Sequence, residues 1–102
     1  MPTDEVVKRA VDSEFPESER SSVMTALRGY RWKYEQQRVR LAILVLAYGK
    51  LSEVERLVAA ANEDYRDLLY WAEYPVESGA GTKAEMANRY RQLGVRVPTE
   101  LT

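Results

Sequence analysis

The sequence contains neither cysteine nor histidine among its 102 residues. Without cysteine the chain cannot form disulfides, iron–sulfur clusters or thiolate zinc sites, and it has no cysteine nucleophile. Without histidine it lacks the commonest metal ligand and the commonest general base of enzymes. We therefore expect neither catalysis nor a cofactor. The composition, 45% hydrophobic and 30% charged residues, is nevertheless typical of a folded globular domain.

Long apolar segments are also missing. The longest apolar run, Leu41 to Tyr48, is far shorter than the about 20 residues that cross a bilayer. The first residues, Met1 to Glu5, have neither the basic nor the apolar segment of a secretory signal. The sequence predicts a cytoplasmic protein that does not bind membranes.

The net charge is small, but the charges are segregated along the chain. The formal net charge is −1 at pH 7, made up of −4 over residues 1–19, +6 over 20–50, −5 over 51–81 and +2 over 82–102. The simplest interpretation is that oppositely charged helices pack beside one another, although each surface pair contributes little. The alternative is a nucleic-acid-binding patch in the basic block, which the sequence pI of about 5.5 disfavours.

The apolar periodicity predicts an all-α fold, because no segment shows the alternation typical of a strand. We expect a small bundle of four to five helices, with a single domain over residues 1–94 and a C-terminal tail over 95–102. At its centre we predict an antiparallel helical hairpin, over about 31–48 and 53–74, with a short link between the two helices. The first hairpin helix is apolar all round its C-terminal half, which is typical of a helix covered on both sides.

Three residues are predicted to cap helix N-termini. Thr3 precedes two acidic residues, which the dipole of a first helix favours. Ser52 and Thr82 are each followed three residues later by a glutamate, Glu55 and Glu85, which is the capping-box pattern. These positions predict where three of the helices begin.

Three large aromatic residues near the end of the second hairpin helix lie off its core-facing stripe. On a helical wheel Tyr70 and Tyr74 share the outer face with Asp67, and Trp71 lies at its flank. Exposed aromatic side chains beside acids are typical of protein interfaces. The alternative is that another helix or the C-terminal tail covers them. These four residues are the candidate interface.

A second candidate surface is the basic segment 28–40, in which cations and aromatic residues are interleaved. Its candidate residues are Arg28, Arg31, Lys33, Arg38 and Arg40. Such a mixture can bind phosphates and stack on bases. The alternative is that these cations pair with acids of the second hairpin helix. Nucleic-acid binding is therefore the second hypothesis, after protein interaction.

Acidic residues on the second hairpin helix raise a third hypothesis, a carboxylate-based metal-dependent hydrolase. Asp64 and Asp67 are three residues apart, and Glu63 and Asp67 are four apart, so they could share a divalent cation. The facing helix offers only Glu35 as a further carboxylate, and Arg66 could neutralise the cluster instead. We therefore assign no metal ligand and no catalytic residue.

The stretch 38–75 resembles a group of small bacterial proteins of uncharacterised function. Their pattern is an Arg-Val-x-Leu-Ala-x-Leu helix, an acidic hairpin and then Asp-Tyr-Arg-Asp-Val/Leu-Leu-x-Trp-Ala-Glu-Tyr-Pro. In this chain the two motifs are Arg38–Leu44 and Asp64–Pro75. The resemblance covers a little over a third of the chain. It implies a small all-helical bacterial protein, and it brings no activity, cofactor or partner.

These patterns together predict a small non-catalytic helical interaction protein. We expect a homodimer for two reasons. A chain of this length has little material to cover a central helix that is apolar on two sides, and it must also cover the aromatic residues at 70–74. The contact is expected there, and an unidentified protein partner is the alternative occupant.

Overall fold

The computed structural model describes residues 4–102 as a bundle of seven α-helices with a C-terminal 3-10 turn and no strand. The elements are α1 Asp4–Glu14, α2 Glu17–Arg28, α3 Gln36–Ala47, α4 Leu51–Glu63, α5 Tyr65–Glu73, α6 Pro75–Ser78, α7 Lys83–Gln92 and the 3-10 turn Thr99–Leu101. This confirms the predicted all-α helical bundle, although the described chain forms more and shorter helices than expected. The predicted Thr3 cap lies outside the described residues.

Helix α3 lies at the centre of the bundle and contacts α1, α4, α5 and α7. Its buried side chains are Val39, Leu41, Ala42, Ile43, Leu44, Val45 and Ala47. Each fully buried Val, Leu or Ile contributes roughly 1.5–3 kcal/mol, so this helix supplies a large part of the core. The helix is covered on both sides, as predicted, but a single chain is enough to cover it. One of the two reasons for expecting a dimer therefore does not hold.

The first hairpin helix begins later than predicted. We expected it to start near residue 31, whereas α3 begins at Gln36. Residues 30–35 form a loop, and Glu35 before the helix adopts a left-handed conformation with φ of 49°. The predicted start was wrong because hydrogen bonds to a residue of α4, described below, hold this segment out of the helix.

The second hairpin helix is two helices rather than one. The helix is interrupted at Asp64, whose backbone is extended with φ of −156° and ψ of 104°. Its side chain accepts a hydrogen bond from the Arg66 backbone N–H at 3.0 Å, which caps α5. Aspartate side chains compete with the helical backbone for such hydrogen bonds. The apolar stripe continues through the break, so periodicity alone predicted one helix over 53–74.

The two predicted capping boxes have different outcomes. Thr82 accepts from the Glu85 backbone N–H at 3.1 Å and the Glu85 carboxylate accepts from the Thr82 N–H, which confirms the box at α7. The box at Ser52 is wrong, because α4 begins at Leu51 and its N-cap position is Lys50, which makes no side-chain cap.

The predicted tail packs on the bundle. Leu101 in the 3-10 turn is buried, and Val95 and Val97 are partly buried against the core. The turn contacts α7. None of the helices in the described part of the chain is both long and apolar enough to cross a membrane.

Candidate functional site

The outer face of α5 carries most of the predicted interface. Tyr70 and Tyr74 are 45% and 43% exposed, and their ring centroids lie 6.2 Å apart. Asp67 is exposed beside them. We call Asp67, Tyr70 and Tyr74 the tyrosine face. Trp71 is only partly exposed and packs against the core, so it differs from the other three candidates.

The inner side of α5 is fixed by an ion pair between half-buried Arg38 and buried Glu73. Glu73 is only 1% exposed. The Arg38 Nε donates to Glu73 Oε2 at 2.8 Å, and the Arg38 Nη2 donates to Glu73 Oε1. This hydrogen bonding raises the pKa of the Arg38 guanidinium above its ordinary value. The pair joins α3 to α5 and holds the tyrosine face in one orientation.

The five cations of the predicted basic patch fall into two groups, one bonded inside the fold and one exposed. Arg38 is engaged by Glu73, and Arg40 donates through Nε to the Leu27 carbonyl at 3.0 Å, near the end of α2. Burial lowers the pKa of Arg40. Arg28, Arg31 and Lys33 are exposed. The prediction of one continuous patch over 28–40 is therefore wrong, because two of its five cations are used inside the fold.

The exposed part of the basic segment carries an aromatic cluster. Trp32 is 41% and Tyr34 is 60% exposed. Their ring centroids lie 6.3 Å and 5.9 Å from that of Tyr65 at the start of α5, and 6.4 Å from each other. A shallow depression of about 460 Å³ is lined by Arg31, Trp32, Lys33, Tyr34 and Asn62. We call residues 30–35 the aromatic loop.

Asn62, near the end of α4, holds the aromatic loop in place. Its Oδ1 accepts from the Arg31 backbone N–H at 2.9 Å, and its Nδ2 donates to the Gly29 carbonyl at 2.8 Å. Its own carbonyl accepts from Trp32 Nε1 at 2.8 Å. Sequence reasoning missed Asn62, because a lone asparagine in a helix gives no signal of a loop about thirty residues earlier.

Buried Tyr30 provides a second anchor for the loop. Its hydroxyl donates to the Tyr34 carbonyl at 3.0 Å. Burial is the main cause that raises the pKa of Tyr30 to about 12. The loop is therefore fixed at both ends while Trp32 and Tyr34 stay exposed.

A larger cleft, of about 640 Å³, lies between the C-terminal tail and the bundle. The ion pair of Arg38 and Glu73 lines it together with Tyr90 and the apolar side chains of Leu41 and Val97. Burial raises the pKa of the Tyr90 phenol above its ordinary value. A phenol with a raised pKa is a poor base at neutral pH, and the carboxylate is already paired.

The acidic residues of the hydrolase hypothesis do not converge on a site. Asp64 accepts from Arg66 Nε and Nη2, both at 3.0 Å, and this hydrogen bonding lowers the pKa of Asp64. Within residues 4–102 no three acidic side chains are grouped so that they could hold a metal ion. Asp64 serves as the cap of α5, and Asp67 belongs to the tyrosine face.

Arg89 is a buried cation that sequence reasoning missed. On α7, it donates to the Leu44 and Val45 carbonyls at 3.1 and 3.0 Å, and to Glu14 at 2.6 Å. Its guanidinium carbon lies 4.5 Å from the centroid of the Tyr48 ring. Arg89 thereby satisfies carbonyls at the C-terminal end of α3, which have no partner within that helix.

Comparison with protein-family models, with curated proteins and with solved structures finds no match for this chain. The resemblance over 38–75 therefore stays a prediction.

Proposed function

We propose that the protein is a small non-catalytic helical interaction protein that forms a homodimer through the tyrosine face. The supporting observation is that Tyr70 and Tyr74 lie side by side with nearly half of each side chain exposed. Tyrosine is a frequent interface residue because it offers a large contact area at low conformational-entropy cost. The cytoplasmic location and bacterial origin suggested by the sequence belong to the same proposal.

The tyrosine face is already rigid, which lowers the cost of binding. The opposite side of α5 is held by the ion pair between Arg38 and Glu73 and by buried Leu68 and Ala72. A partner therefore meets side chains whose backbone is already ordered, so less entropy is lost on association. Val76, in the short helix α6 that follows, is also exposed, at 61%.

Charge on the same surface favours a second copy of this chain as the partner. In a two-fold dimer the same patch faces itself, so the patch must carry groups that complement each other. Asp67 forms no ion pair with any residue of the described chain. Arg66 beside it pairs with Asp64, and its side chain is 77% exposed. In such a dimer, Arg66 of each copy can approach Asp67 of the other.

The experiment is light scattering across a wide range of protein concentration. We expect the mass to rise from 11.7 kDa towards twice that value, and the double variant Tyr70→Ser/Tyr74→Ser to stay monomeric with unchanged helicity. Tyr34→Ser is the matched control, because it removes a tyrosine that is even more exposed, at 60%, from another surface. Trp71→Ala is a poor test, since Trp71 packs against the core. A wild-type protein that stays at 11.7 kDa throughout would contradict the dimer.

A further inference from the structure

The aromatic loop presents ring faces on a fixed backbone. The hydrogen bonds from Asn62 and Tyr30 hold the loop at Gly29, Arg31 and Tyr34. This surface has its own anchors, Asn62 and Tyr30, which differ from the ion pair of Arg38 and Glu73 behind the tyrosine face. Large aromatic side chains exposed on a preorganised loop are ready to bind a flat partner without first ordering the loop.

The rings of this loop are suited to stacking rather than to hydrogen bonding. The single donor of Trp32, Nε1, is already used on the Asn62 carbonyl. What Trp32 offers to a ligand is therefore its ring surface. Tyr34 packs beside Tyr65 with an angle of 22° between the ring planes, and it is the most exposed ring of the cluster.

Two cations flank these rings without a partner inside the fold. Arg31 and Lys33 line the same depression as Trp32 and Tyr34. Neither forms an ion pair with any residue between positions 4 and 102. Both are exposed, in contrast to Arg38 and Arg40, which the fold uses. The depression is therefore lined by two cations and no carboxylate. Glu35, the one acid of the loop, lies 3.9 Å from Arg38.

We propose that the aromatic loop binds single-stranded nucleic acid. Trp32 and Tyr34 stack on unpaired bases, and Arg31 and Lys33 bind the phosphates between them. Stacking needs exposed base faces, which a duplex hides, so a single strand is the form that fits. Two phosphate contacts predict a shallow salt dependence, with a slope of log affinity against log salt of about −1.4. The proposal is independent of the homodimer.

The test is fluorescence anisotropy of a labelled oligothymidylate titrated with the full chain at several salt concentrations. An abasic oligonucleotide of the same length reports binding to phosphates alone. We expect Tyr34→Leu to weaken binding roughly tenfold. Lys33→Ala should make the salt slope shallower by about 0.7. Neither change removes a hydrogen bond that anchors the loop, because Tyr34 is held through its backbone carbonyl. Tyr70→Leu and Lys83→Ala are matched controls, with an exposed ring and an exposed cation elsewhere, and should bind as wild type does.

The outcomes separate clearly. Binding of oligothymidylate that exceeds binding of the abasic strand and is lost in Tyr34→Leu supports the proposal. Equal binding of both strands would show a simple anion site and overturn it, as would the absence of saturable binding. Binding of anionic vesicles or an acidic peptide, abolished by the loop variants while oligonucleotides do not bind, would assign the loop to a different partner. Absence of oligonucleotide binding would leave the dimer proposal unaffected, because the aromatic loop and the tyrosine face share no residue.

Discussion

Glu73 is a carboxylate held inside the bundle by one cation. Replacing Arg38 with methionine removes that cation and leaves the carboxylate without a partner and nearly without solvent. We expect Arg38→Met to lower the free energy of unfolding by about 2–3 kcal/mol, less than for a fully buried pair because the Arg38 side chain is 39% exposed. Urea unfolding measures this change.

The double variant Arg38→Met/Glu73→Leu is the control for this prediction. It removes both charges and keeps most of the side-chain volume, and such replacements are often neutral or stabilising. We expect it to recover most of the lost stability. A double variant as unstable as Arg38→Met would show that lost packing, rather than an unpaired carboxylate, explains the effect.

Ionisation of two buried tyrosines is expected to lower the free energy of unfolding at alkaline pH. Burial raises the pKa of Tyr30 from 10.0 to about 12 and also raises that of Tyr90. The folded state therefore favours their neutral forms, so this contribution to stability is fully present below pH 10. It is lost as the pH rises from about 10 through about 12.

Spectrophotometric titration of tyrosinate tests this prediction. In denaturant we expect all seven tyrosines to ionise in one transition near pH 10. In the native protein, part of the absorbance should appear only at higher pH, together with loss of helical circular dichroism. Native and denatured curves that coincide would contradict the assignment of the two buried phenols.

At the scale of helices, Asp64 separates α4 from α5 and caps the second of them. Asp64→Ala removes the acceptor for the Arg66 N–H, and we expect a loss of about 0.5–2 kcal/mol. Ser52→Ala is the matched control, because Ser52 fits the sequence pattern of a cap but makes none, so its effect should stay within about 0.5 kcal/mol. Thermal unfolding followed by circular dichroism measures both. Equal losses in the two variants would contradict this assignment of the cap.

The sequence predicted correctly those features that depend on residues close together in the chain. The capping box at Thr82 formed as predicted, because both of its hydrogen bonds lie within four residues. The buried character of α3 followed from its composition alone. The helical wheel placed Tyr70 and Tyr74 off the core-facing stripe but left open whether another element covers them, and the structure shows both exposed.

The sequence did not predict features that depend on distant residues. The start of α3 was placed too early because Asn62 and Tyr30 fix the aromatic loop through tertiary hydrogen bonds. The basic patch was overestimated because the partner of Arg38 is 35 positions away on α5. The same local pattern also suggested a cap at Ser52, where the helix begins one residue earlier. At the aromatic loop and at Arg38, tertiary contacts overrode a reasonable local preference.

At the scale of the whole molecule, Arg89 joins both ends of the chain to the centre. It bonds Glu14 of α1 and two carbonyls of α3 from its place on α7. We expect Arg89→Met to destabilise the protein by about 3 kcal/mol, since it leaves these buried acceptors unpaired. Arg91→Met, two residues further and exposed, should change stability by less than about 0.5 kcal/mol. Urea unfolding of the two variants tests the assignment, and similar curves would contradict it.

Within residues 4–102 the tyrosine face and the aromatic loop each expose a pair of neighbouring aromatic rings. Since one chain covers α3 by itself, the expectation of a dimer now depends on the tyrosine face alone. The account therefore predicts that association covers Tyr70 and Tyr74 and leaves the aromatic loop free.

Hydroxyl-radical footprinting read by mass spectrometry tests this claim most directly. Oxidation of single side chains is measured from dilute to concentrated protein. The account predicts that oxidation of Tyr70 and Tyr74 falls as the concentration rises, while oxidation of Trp32 and Tyr34 stays constant. Oxidation of Tyr70 and Tyr74 that stays constant over the whole range would contradict it.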